Sequence, residues 1–105
     1  MLPAGNYTIE NFKVHDKKNP HIWDAFERYA LIMTKHRDFY SAKAVFHRVR
    51  WDTAIGEIPM PENDQGEFKI SDGWISHYAR KFLELHPEHE GFFRTQNRRV
   101  SYFNP

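Results

Sequence analysis

Three stretches of the chain repeat apolar side chains at helical spacing behind a capping residue, which restricts the fold to one built mainly from packed helices. The first begins at Asn19–Pro20. Asparagine is a preferred N-cap, and proline at the first helical position gives up an amide that has no intrahelical partner there. Ile22, Phe26, Tyr29, Ala30 and Met33 follow as a stripe, with Trp23 widening it, and the pattern fades at His36–Arg37. The second runs from Ser41 to about Ile55. Ala42, Val45, Phe46 and Val49 form one apolar stripe, and Ala44, Trp51 and Ile55 a partial second, so this helix is expected to be buried on more than one side. Lys43, His47 and Arg50 are then its wettest positions. The short connection makes these two helices neighbours.

Residues 56–66, GEIPMPENDQG, read as a loop, since two prolines, two glycines and several acids leave no periodicity. A short extended piece, Glu67 to Ile70, leads to a third helix capped by Ser71 or Asp72. Trp74, Ile75, Tyr78, Ala79, Phe82 and Leu83 line its core side, and Pro87 ends it. After Gly91, FFRT, QNRR and VSYF read as two short strands about a polar turn. Residues 1–18 read as an arm, docked through Tyr7, Ile9, Phe12 and Val14, partly as an extended stretch. The expected architecture is a mainly α fold. An arm at 1–18 precedes one helical domain at 19–105, a three-helix body with a small C-terminal β-hairpin, most like a winged helix.

The length of 105 residues suits one domain with a modest core. Nine Phe, five Tyr and three Trp supply large anchors for it, too many for a disordered chain. No cysteine is present, which excludes disulfides and thiolate metal sites. The first residues lack the basic start and apolar run of a signal peptide. No segment approaches the roughly 18 apolar residues that span a membrane. A cytoplasmic protein with no membrane partner is the resulting expectation.

The net charge of +1 is unevenly spread. Residues 28–50 hold Arg28, Lys35, Arg37, Lys43, Arg48 and Arg50 against Asp38 alone, a net of +5. Residues 51–73 hold Lys69 against six acids, a net of −5. Segregation of this kind can give a nearly neutral molecule a basic face. A solvated helix side that happens to be basic accounts for the same pattern.

Catalysis and metal binding have little to stand on. His86, Glu88, His89 and Glu90 lie close together, but Pro87 between the histidines breaks the helical geometry of an HExxH site. There is no nucleophile elbow of the GxSxG kind and no glycine-rich phosphate loop. No catalytic residue, metal or cofactor is therefore expected, and the protein is not read as an enzyme.

Nucleic-acid binding has more support. Helix, helix, helix and basic hairpin match a helix-turn-helix body with a wing. The third helix then offers Ser76, His77, Arg80 and Lys81 to a groove of double-stranded DNA. Arg94, Arg98 and Arg99 in the hairpin meet phosphates or base edges. Two features oppose this reading. The isoelectric point of about 8.1 is lower than that of many such binders. The connection before the third helix also far exceeds a helix-turn-helix turn. The alternative is a module that binds a host protein through exposed aromatics or the acidic loop.

The segments NPHIWDAFERYA, YSAKAVFHRVRWDTA and FKISDGWISHYARKFLELHPEHEGFFRT resemble a group of small proteins encoded by bacteriophages and prophages. The resemblance covers about residues 19–95 and implies a phage setting inside a bacterial host cell. It assigns no activity and carries no functional residue onto this chain.

Overall fold

The structure, a computed structural model, describes residues 7–60, 72–95 and 101–103. Within them the chain forms four α-helices: α1 (Ile9–Lys18), α2 (Pro20–Thr34), α3 (Ala42–Ala54) and α4 (Asp72–Leu85). A single 3-10 turn follows at Pro87–His89. The described residues contain no strand, so the expected winged-helix architecture is corrected to an all-helical one.

Local chemistry sets most of the helix ends. The Ser41 hydroxyl accepts from the Ala44 amide at 3.2 Å and starts α3. Pro20 opens α2, but Asn19 does not cap it with its side chain. Instead the Asn19 amide group donates to the His15 carbonyl at 3.0 Å, closing the end of α1. The Asn19 backbone carbonyl serves α2, accepting from the Ile22 amide at 3.1 Å. One buried residue thus joins two helices with no loop between them.

Residues 9–18 are helical, whereas the sequence suggests an arm with at most an extended stretch. The Thr8 hydroxyl accepts from the Asn11 amide and starts the helix. Burial of Phe12 then attaches it to the core, with ring centroids 4.8 Å from Tyr78 and 5.1 Å from His77. The core itself joins Ile22, Phe26 and Ala30 of α2 to Val45, Phe46 and Val49 of α3 and Tyr78, Ala79 and Phe82 of α4. Phe26 and Phe46 stack at 4.7 Å, and Tyr78 lies 4.9 Å from Phe46.

The hairpin expected after Gly91 is absent from the described residues for a geometric reason. Alternation along a strand sends successive side chains to opposite faces, yet Phe92 and Phe93 are consecutive and both buried. Gly91, at φ +84°, turns the chain back so that both rings enter the core beside Phe82. The Phe92 carbonyl accepts from the Tyr40 amide at 2.9 Å, tying this return to the α2–α3 connection. Residues 96–100, including Arg98 and Arg99, lie outside the described residues, as do residues 61–71 of the expected acidic loop and extended piece.

Candidate binding surface

The polar residues of α4 are the ones the sequence assigns to a groove, and the structure places them inward or against neighbours. Trp74, His77, Tyr78 and Lys81 stand at i, i+3, i+4 and i+7, one stripe of the helix, and α1 packs along it. The Lys81 ammonium lies 2.5 Å from Oδ2 of Asp16 on α1 and 4.1 Å from the centre of the Trp23 ring. His77 is buried. Its Nε2 lies 2.8 Å from the Tyr7 carbonyl, which can only accept, so Nε2 carries the proton. Nδ1 then accepts from the Tyr102 hydroxyl at 2.8 Å, and that hydroxyl accepts in turn from Arg80 Nε at 2.9 Å. Ser76 turns its hydroxyl to the Gly73 carbonyl of its own helix. Arg94 is exposed beyond the 3-10 turn. His77, Arg80 and Lys81 thus fasten α1 and the C-terminal segment to α4.

Burial shapes the chemistry of this layer. His15 stacks on Trp74 at 5.1 Å, and its Nε2 lies within hydrogen-bond distance of the Tyr78 hydroxyl at 3.1 Å. Desolvation holds the His15 pKa below its usual value, against the opposing pull of Asp16. Burial, then the Asp16 charge, raises the Tyr78 phenol well above its ordinary value, so it keeps its proton. His15 and Tyr78 thus form a neutral pair beside the Lys81–Asp16 ion pair.

At the 3-10 turn, His86 meets Glu27 through Nε2 at 2.8 Å and Glu88 through Nδ1 at 3.4 Å. The two carboxylates sit on opposite nitrogens of one ring and do not converge on a point. Among the described residues no group of three or more His, Cys, Asp or Glu is placed to hold a metal ion.

The outer face of α3 is different. Trp51 is 60% exposed and Ile55 53% exposed, so the second apolar stripe is open to solvent instead of buried as expected. Lys43, His47, Arg48 and Arg50 are exposed on the same helix. Its sole carboxylate, Asp52, is buried. Asp52 is held by the Tyr29 hydroxyl and pairs with Arg48 at 3.4 Å. The guanidinium groups of Arg48 and Arg28 sit 5.1 Å and 5.0 Å from the centre of the Tyr29 ring, one contributed by α3 and the other by α2. The hydrogen bond to Tyr29, then the Asp52 charge, raises the Arg48 pKa above its ordinary value. Lys43 approaches Asp72 at 3.8 Å with both side chains largely exposed, a weak surface pair. The basic run seen in the sequence is thereby brought to the surface. Ile32 of α2 and Phe39 of the following turn add exposed apolar area, at 47% and 76%.

The fold and this surface define a small all-helical domain, and no described helix is long and apolar enough to cross a membrane. No family model, curated protein or solved structure matches the chain.

The sequence signal for the α3 face is the charge excess of residues 28–50. Sequence reasoning misplaces Trp51, because a second apolar stripe looks the same whether or not another element covers it.

Proposed function

We propose that the protein is a non-catalytic nucleic-acid-binding domain whose contact surface is the outer face of α3 with the adjoining side of α2. One observation carries this reading. Lys43, His47, Arg48 and Arg50 share the solvent side of a helix with an exposed tryptophan, and that helix has no exposed carboxylate. Cations attract phosphate, and an exposed aromatic adds a contact that is not electrostatic. Arg28, placed beside Arg48 across Tyr29, extends the cationic surface onto α2. The nucleic-acid contact that the sequence suggests for His77 and Lys81 is moved to α3, because both side chains are buried against α1.

A protein partner is the second reading, favoured by the exposed Trp51, Ile55, Ile32 and Phe39. Such a partner would present acidic and apolar groups together.

The test is a titration of the whole chain with labelled nucleic acid at about 50 mM and about 200 mM salt. Binding that weakens with salt is expected. Replacing Lys43 and Arg48 by alanine should lower affinity and flatten the log–log salt slope by roughly one unit for each phosphate no longer neutralised. Unchanged affinity in a folded Lys43→Ala, Arg48→Ala variant would move the contact surface elsewhere.

A further inference from the structure

Resting on that reading, the geometry points to an unpaired polynucleotide strand as the occupant of the α3 face. One base stacks on the Trp51 indole, while Lys43, His47, Arg48 and Arg50 hold the phosphates beside it.

Three observations favour an unpaired strand over a duplex. First, the indole is 60% exposed and lies one turn from His47 and Ile55 along α3. A duplex encloses the flat faces of its bases and shows only their edges in the grooves. In an unpaired strand every base has a free face, and an aromatic side chain beside cations is the usual platform for it. Second, a helix that reads a major groove contacts base edges mainly through its N-terminal residues. Those of α3 are Ala42, Lys43 and Ala44, whereas Arg48 is its central residue and Arg50 and Trp51 lie in its C-terminal half. Third, the helix AKAVFHRVRWDTA contains no Asn or Gln, the side chains that pair with adenine edges. Of its two arginines, the side chains that pair with guanine, Arg48 is held at Tyr29 and Asp52. The face is equipped for phosphates and ring faces and poorly equipped for base edges. Binding should accordingly tolerate sequence.

The reach is sufficient for several nucleotides. From Lys43 to Ile55 the helix extends about 18 Å at about 1.5 Å per residue. Tyr29 continues the surface sideways, with Arg28 and Arg48 at 5.0 Å and 5.1 Å from its ring centre.

The decisive measurement is fluorescence anisotropy of the full chain with strands of about 16 nucleotides. Oligo-thymidine, oligo-uridine and a duplex of mixed sequence are compared at about 50 mM salt. Both unpaired strands should bind at least about tenfold more tightly than the duplex. Trp51→Ala should weaken them by about ten- to a hundredfold, the loss of one stacked base. Tryptophan emission should be quenched by the strand in the wild type and not in Trp51→Phe, since Trp23 is buried and Trp74 lies against α1. Thermal melting of Trp51→Ala within a degree or two of wild type would confirm that the loss is one of binding. A duplex bound as tightly as either strand, or Trp51→Ala with full affinity, overturns the unpaired-strand inference while leaving a nucleic-acid surface on α3. No binding of any of the three overturns both and directs the search to an acidic protein. A preference between thymidine and uridine strands distinguishes DNA from RNA as the source.

Discussion

The Lys81 ammonium on α4 lies 2.5 Å from the Asp16 carboxylate on α1, joining residues 65 positions apart in the chain. Both side chains are largely buried, and Oδ1 of Asp16 is buried with no hydrogen-bond partner. The pair holds the first helix over the polar side of the last one. Its attraction must offset two desolvation penalties, so its removal from one side is costlier than its removal from both.

Lys81→Ala should therefore destabilise the fold by about 3–5 kcal/mol, since it strands a buried carboxylate. Asp16→Leu combined with Lys81→Met should lose much less than the single change. Urea unfolding of the three proteins checks this. A Lys81→Ala loss under about 1 kcal/mol would show that water already serves Asp16.

Phe46→Ala should cost about 3–5 kcal/mol. The residue is 1% exposed and packs between Phe26 of α2 and Tyr78 of α4, so the emptied space lies where three helices meet. Chemical denaturation measures the loss, and a value below about 1 kcal/mol is incompatible with this packing.

Stability should fall as the solution is acidified through about pH 6.5, in part through His15. Burial depresses the His15 pKa in the folded state. Below the ordinary histidine value the unfolded chain therefore binds the proton more readily. The contribution of His15 to stability is full above that value and declines as pH falls toward the folded one. His15→Asn should make the loss between about pH 7.5 and about pH 5.5 shallower. An unchanged slope would place the pH dependence on groups other than His15.

Tyr102→Phe should cost about 1–3 kcal/mol. The hydroxyl bridges Arg80 Nε and His77 Nδ1, beside a direct Arg80 Nη2 contact to Nδ1 at 3.2 Å, and the ring is buried edge-on to Phe12 at 5.5 Å. Hydrogen exchange should report the change at residues 101–103, where the Tyr102 amide donates to Glu84 at 2.7 Å. Equal protection in both proteins would mean that the Glu84 contact alone seats the segment.

Short-range chemistry is legible in the chain. Ser41, Pro20 and Pro87 mark helix boundaries by capping or by removing an amide, effects that act within one turn. The stripes of Phe26, Val45, Phe46, Val49, Ala79 and Phe82 follow from helical period alone, and all six are buried. The charge excess of residues 28–50 locates the basic region for the same reason, since it is a property of order along the chain. Tertiary contacts decide the remainder. Phe92 and Phe93 look like strand residues until both are needed by the core, and burial of two adjacent rings overrides their β-propensity. His77 and Lys81 look like the wet side of α4 because the residues that desolvate them, Phe12 and Asp16 of α1, are more than sixty positions away. Trp51 looks like a core residue because periodicity reports that a stripe is apolar and carries no information about whether anything covers it. Helix ends obey neighbours in sequence, whereas burial of a helix side depends on which distant element packs there.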